Sequence, residues 1–438
     1  MRTGLLLAAA LSAVAGLLQY MGVSQEFEPW VNYAPRGEAY GNLRQPNQHA
    51  SLCWLGMAVL LWGAPRLPRG WAFGLAILLA SASASSVSRT GMLQGLLLFA
   101  LCLLWPGGDR RRNLQLCVVA TLAYVAATLF LPVLLEVITG AAPSRRLWSR
   151  LSGSYGCSSR AVLWSNVLTL IAQRPFAGWG WGELDFAHFV TLYNGPRFCE
   201  ILDNAHNLPL HLAVELGVPA AVLVCIGGVV WGWRQRPWRE QDPQRQLAWA
   251  LIGVILLHNM LEYPLWYGPF QLAFGAAFGW LRADVTPQTV VGARRAIIGC
   301  AIAMLLAGAC AYAAWDYWRV SQVYLSPQHR RNIWRNDPLR VAKQSRLFAA
   351  QARFAELTLS TVNRSNAASM APLAREMLHY SPEPRVVERL IEADTMLGND
   401  AEAVLTLARF RAAFPDHYEQ WRRTQGVTGA SVSPRAQD

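Results

Sequence analysis

The chain has 438 residues, 53% of them hydrophobic and only 15% charged. Ordinary soluble domains carry roughly 25% charged residues, so this composition excludes a conventional soluble fold. The formal charge of +12 invites a nucleic-acid reading, but the arginines behind it cluster in short loops beside apolar blocks, where membrane topology explains them.

Nine apolar blocks follow one another, at 4–22, 48–64, 70–86, 90–106, 114–138, 207–232, 247–263, 266–281 and 296–315. They read as membrane helices, because backbone polar groups in lipid must be satisfied within one segment. The first block carries Ala13-Val14-Ala15, which resembles a cleavage site, and is read as an uncleaved helix. The third and fourth blocks meet at a Ser-rich bend, the seventh and eighth at Tyr263-Pro264. If the N-terminus is cytoplasmic, the inner loops hold Arg66 and Arg69, Arg110 to Arg112, Arg234, Arg236, Arg239 and Arg245, and Arg282, Arg294 and Arg295. The short outer connections then hold only Arg36, Arg44 and Arg89, with four glutamates. Lys/Arg-rich loops stay inside, so the expected location is a bacterial inner membrane with the polar working face toward the periplasm.

The resulting expectation is an all-α fold: a polytopic membrane helix bundle of about nine spans, a large periplasmic loop and a C-terminal helical-repeat-like soluble domain. Its parts are 1–138 (N-terminal helices), 139–206 (loop), 207–315 (C-terminal membrane helices) and 316–438 (soluble tail). Tail helices are expected around 340–362, 368–380, 383–397 and 400–413. They resemble paired-helix repeats, although no clean period of about 34 residues is visible. Docking of a protein or packing would suit such a tail. Cys157 and Cys199 are the cysteines outside the apolar blocks, and both fall in the loop. A bridge between them is expected in an oxidising compartment, with free thiols as the alternative. Closing such a loop contributes up to about 4 kcal/mol in the chain-entropy model.

Four polar features converge on the outer ends of the helices. Ser88-Arg89-Thr90-Gly91 sits at the first bend; its arginine either snorkels to headgroups or faces a cavity. Ser158-Ser159-Arg160-Ala161-Val162-Leu163-Trp164 opens an amphipathic stretch that suits a helix lying against the membrane. It leads into Arg174-Pro175-Phe176-Ala177-Gly178-Trp179-Gly180-Trp181-Gly182. Asp203-Asn204-Ala205-His206-Asn207 precedes block six, where His211 and Glu215 are one turn apart and suit a structural hydrogen bond. His258 and Glu262 share a helix face at i, i+4, and either bind an acceptor or brace the bundle. Arginine holds phosphate oxygens in bidentate fashion and keeps its charge, while histidine can take a proton from a hydroxyl near neutral pH. The chain has no HExxH, Asp-x-Asp or CxxC cluster, no P-loop and no Rossmann glycine fingerprint, so no metal and no cofactor is expected.

At these motifs the chain resembles the superfamily of bacterial O-antigen ligases, O-antigen polymerases and PglL-type protein O-oligosaccharyltransferases. The resemblance rests on SRTG at 88–91, SSRAVLW at 158–164, RPFAGWGWG at 174–182, NAHNLPLHLAVELG at 204–217 and HNMLEYPLWYGPF at 258–270, in that order. The last two, and the tail, are most similar to the protein-glycosylating branch. The resemblance implies a donor of undecaprenyl-diphosphate-linked glycan and a Ser or Thr hydroxyl on pilin or another periplasmic protein as acceptor. It implies that Arg89 and Arg160 engage the diphosphate, with Arg174 a weaker candidate. His206 then acts as base or orienter for an inverting attack; from their position beside it, Asn207, His258 and Glu262 are expected either to bind the acceptor or to act as supports. Members of this branch usually carry further helices before the segment matching Gln45-Pro46-Asn47-Gln48-His49, from which this chain departs. The rival readings are an O-antigen ligase or polymerase acting on lipid A-core or a growing glycan, and a lipid-linked glycan flippase.

Overall fold

The computed structural model describes residues 1–43, 45–64, 67–105, 109–140, 156–282, 293–332 and 335–424, and among these it is helical throughout, with no strand. Arg44, Arg66 and loop residues 141–155 lie outside the described residues. In chain order the helices are α1 (Arg2–Met21), α2 (Pro46–Ala58), α3 (Arg69–Ser85), α4 (Arg89–Leu104), α5 (Arg110–Thr139), α6 (Arg160–Gln173), α7 (Leu184–Val190), α8 (Leu208–Leu216) and α9 (Val218–Gln235). They continue as α10 (Pro243–Asn259), α11 (Gly268–Arg282), α12 (Ala293–Ser321), α13 (Pro338–Ala342), α14 (Ala349–Leu359), α15 (Ala367–Tyr380), α16 (Pro384–Leu397), α17 (Asp400–Ala413) and α18 (Pro415–Thr424). Two compact units result: Met1–Gly156 with Asn204–Asp284, and Cys157–Asp203 with Val285–Asp438.

Every apolar block falls on helix. By length and composition α1, α5, α9 and α12 can each cross a membrane, and α4 is a shorter apolar helix. The protein is membrane-embedded. One block differs from its expected form: 207–232 is two helices, parted at Gly217 with φ 86°. Glycine tolerates that conformation, and Pro219 in the following turn starts a new helix better than it continues an old one.

In the first unit, residues such as Trp54, Leu79, Leu98, Ile255 and Phe270 form the core. Helix α4 lies against α2 through Gly91 and Gly95. A Cβ added at Gly91 would come within 2.8 Å of the Ala50 methyl, and one at Gly95 within 2.6 Å of the Trp54 ring. Space requires glycine at both positions, as in small-xxx-small helix pairs. That close approach brings Ser88, at the head of α4, to Asn47, at the head of α2.

The second unit packs the loop helices with the tail. Cys157 and Cys199 are joined by a disulfide, their Cα atoms 5.4 Å apart. Phe189 of α7 enters the tail core beside Met370, Leu373, Met377 and Phe410. His379 stacks on Phe186 with centroids 3.7 Å apart and meets Glu183 Oε2 at 2.7 Å. The expected helix at 340–362 breaks into α13 and α14. Between them the buried Asp316 carboxylate accepts from Ser345 Oγ at 2.8 Å, Arg346 N at 3.2 Å and Leu347 N at 2.9 Å. These bonds fix backbone amides that a continuous helix would have used itself.

Candidate active site

His206 is held in a left-handed backbone conformation, φ 50°, just before the N-cap of α8. A non-glycine residue there costs on the order of 1–2 kcal/mol. The cap explains how it persists. Asn207 Oδ1 accepts from Leu210 N at 3.1 Å, and Asn207 Nδ2 donates to Met260 O at 3.1 Å. The histidine is thereby pinned between the start of α8 and the turn after α10. Its Nδ1 meets Glu262 Oε2 at 2.6 Å, with 18% and 9% of the two side chains exposed. Its ring edge also packs on Tyr263, 5.0 Å between centroids.

Glu262 collects further donors. Asn47 Nδ2 donates to its Oε1 at 3.2 Å, and Gln45 Nε2 reaches Oε2 at 3.4 Å. Three donors on one side chain make the arrangement an ionised acceptor requires. The proton shared with His206 then belongs on Nδ1, which leaves Nε2 as the nitrogen that can take a proton. The network continues: Ser88 Oγ donates to Asn47 Oδ1 at 2.6 Å and, as the N-cap of α4, accepts from Gly91 N at 3.0 Å. Val87, next in line, is again left-handed at φ 53°, unusual for a β-branched residue. Arg89 follows Ser88 directly and is exposed at the first turn of α4. A relay Ser88–Asn47–Glu262–His206 therefore joins the heads of α2, α4 and α8 and the end of α10.

Two other histidines brace this arrangement. His211 is buried, takes a bond from Ala205 N on Nδ1 at 3.4 Å and faces Glu215 Oε2 at 3.4 Å. His258 is fully buried and meets Ser51 Oγ at 2.8 Å, which in turn is bonded to Gln94. The expectation that His258 and Glu262 share one helix face needs correction, because α10 ends at Asn259 and Glu262 lies in the turn beyond it. Their partners therefore differ: Glu262 turns to the site, His258 to a polar layer inside the bundle.

The remaining expected residues belong to the second unit. Arg160 is half-buried at the first turn of α6, after the cap Ser159, whose Oγ accepts from Val162 N at 3.4 Å. Arg174 ends α6 and lies 4.1 Å over the Trp179 ring, while Trp179 Nε1 donates to Leu170 O at 3.0 Å. Gly178, Gly180 and Gly182 all have positive φ, which lets the loop fold back under that stack. In α7, burial holds the Asp185 carboxyl up at about 7, helped by Glu183 and Asp203 and opposed by the Phe186 amide. Burial, with Arg197 nearby, holds His188 down at about 3; its ring is bonded to Tyr193 and to Phe198 O.

Sequence reasoning missed Gln45 and Asn47 as partners of the carboxylate, and Ser88 as the partner of Asn47. The signal was present as a polar run, Gln45 to His49, immediately before an apolar block.

Comparison with known proteins matches three segments of the chain in order. Residues 39–62 match the protein glycosylation ligase family, 74–225 the O-antigen ligase family, and 246–426 the C-terminal region of the virulence factor membrane-bound polymerases. Asn47 falls in the first match, Arg89, Arg160 and His206 in the second, His258 and Glu262 in the third. A general O-oligosaccharyltransferase of Acinetobacter baylyi is 24% identical over 294 residues, covering 64% of this chain and 50% of that protein. A ComP-specific O-oligosaccharyltransferase of the same organism is 23% identical over 247 residues, covering 56% and 44%. The chain thus spans about half the length of the curated relatives it matches. No solved structure matches it. The order of the matched segments and the relatives agree: the chain is similar to PglL-type O-oligosaccharyltransferases and to the O-antigen ligases and polymerases.

Proposed function

We propose that this protein transfers a glycan en bloc from undecaprenyl diphosphate to Ser or Thr hydroxyls of periplasmic proteins, pilin among them, at the outer face of a bacterial inner membrane. The observation that carries this reading is the His206–Glu262 pair at 2.6 Å, embedded in a relay that ends beside Arg89. The acceptor hydroxyl gives its proton to His206 Nε2, and its oxygen attacks the anomeric carbon. The bond from that carbon to the diphosphate oxygen breaks, and the polyprenyl diphosphate leaves with the electron pair. Glu262 keeps the imidazole oriented and offsets its charge once the proton has moved, the logic of a base held by a carboxylate. Arg89 offsets the charge on the leaving diphosphate, a form of stabilisation worth most where it is preorganised. Arg160 is assigned to the same anion by its motif alone. Asn207 and His258 act as supports.

The O-antigen ligase match favours one second reading, the same chemistry on a lipid A-core or glycan hydroxyl. The test is to supply the purified chain with lipid-linked glycan and both acceptor types. Intact-mass analysis should find the glycan on protein; modification of lipopolysaccharide alone would select the second reading. A chain that moves the lipid-linked glycan across a bilayer without transferring it would leave a flippase.

A further inference from the structure

Helix α5 packs chiefly on α3 and meets α4 where Cys117 Sγ lies 3.2 Å from Cys102 Sγ. The gap between α4 and α5 is a cleft of about 370 Å³, walled by Met92, Leu96 and Phe99 on one side and Val125 and Leu129 on the other, with Trp54 of α2 also lining it. Its two threonines are satisfied within their own helices, and the Tyr124 ring completes the wall. Thr121 Oγ1 donates to Cys117 O at 2.9 Å and Thr128 Oγ1 to Tyr124 O at 2.8 Å, each within its own helix. Gly95 has a second role here: with no Cβ, it lets the Trp54 ring lie flat enough against α4 to line the cleft. Leu96, Val125 and Leu129 are each about half exposed, at 59%, 49% and 51%, so no side chain among the described residues fills the space.

The position along α4 gives the cleft its meaning. Arg89, Met92, Leu96 and Phe99 fall at i, i+3, i+7 and i+10, one face of the helix. A guanidinium thus heads the same stripe whose next turns line the cleft. A ligand that suits this order has an anionic head directly joined to one long apolar chain. A phospholipid brings two chains side by side, whereas a single cleft between two helices accepts one.

We infer that the α4–α5 cleft seats the polyprenyl chain of the lipid-linked donor, with the diphosphate drawn to Arg89. This rests on the transfer reading and adds to it a determinant of donor chain length. Each buried CH₂ contributes about 0.8 kcal/mol, so a chain that fills even part of the cleft gains affinity that a short one lacks.

The experiment fills the cleft with L96W and V125W, both at half-exposed positions, and uses Leu122→Trp as a control on the exposed, non-lining side of α5. Transfer is measured with an undecaprenyl-diphosphate donor and with a donor of the same glycan on a chain of two isoprene units. The cleft variants should raise KM for the long donor at least about tenfold, as loss of a few buried CH₂ groups implies, and leave the short donor and kcat unchanged. Equal effects on both donors, or none, overturn the inference while leaving the transfer reading intact. A second measurement does not depend on activity. A photoreactive polyprenyl diphosphate should label the segment from Met92 to Phe99, and undecaprenyl phosphate should compete. Labelling that phospholipid removes equally well would make the cleft an ordinary lipid-facing surface and also overturn the inference.

Discussion

Two histidine–glutamate pairs lie five residues apart at the start of α8, and they differ in every respect that matters for chemistry. His211 and Glu215 sit one turn apart in a helix, both 2% exposed, at 3.4 Å. His206 and Glu262 come from distant parts of the chain, are partly open, and approach to 2.6 Å. The first pair satisfies itself and Ala205 N, and so braces the loop. The second draws on Asn47 and Gln45 and spends backbone strain at His206 to hold its geometry. Strain that the surroundings over-determine is the mark of a placed group. Residue type alone would not separate the two pairs; exposure, partner count and backbone do.

That contrast can be broken or sharpened by mutation. The largest effect belongs to His206→Ala, which should lower the transfer rate by about 10²–10⁴-fold, the range for loss of a general base, with membrane insertion unchanged. An assay of initial rates with purified protein and equal loading checks it. From the donor's side, Arg89→Lys and Arg160→Lys should each raise the donor KM about tenfold, because an ammonium cannot replace the bidentate fork. Glu215→Gln should change the rate no more than a few-fold. It should instead lower the thermal midpoint in detergent, by an amount corresponding to about 1–3 kcal/mol for a poorly satisfied buried partner. The smallest effect lies in the second unit. Burial raises the Asp185 carboxyl to about 7 in the folded protein, above its ordinary range. Its contribution to stability is therefore complete at low pH and is lost as pH rises from the ordinary carboxylate range through about 7. Asp185→Asn should flatten that stretch of the midpoint-against-pH curve, while His206→Ala should leave it alone.

The sequence made part of this legible, for physical reasons that can be named. Long apolar blocks favour helix, so the helical class was readable, although 207–232 turned out to be two helices. His206-Asn207 was readable because a polar group beside a membrane helix is costly unless used. The partners were not. Asn47 meets Glu262 across 215 residues of chain, and only the close α2–α4 packing at Gly91 and Gly95 explains why Ser88 joins them. The spacing of His258 and Glu262 suggested one helix face, but a spacing cannot say where the helix stops. It stops at Asn259, and that single boundary sends the carboxylate to the site and leaves the histidine inside. The left-handed turn at Val87 had no sequence signal, since a β-branched residue disfavours it, and at His206 the signal is only that histidine is among the side chains enriched there.

The central claim is that His206 and Glu262 work as one unit, and a double-mutant cycle tests it most directly. Transfer rates are measured for the wild type, His206→Ala, Glu262→Gln and the double variant. Residues that act together lose function non-additively, so the double variant should be no slower than His206→Ala alone. Losses that multiply would show two independent contributions and contradict the account.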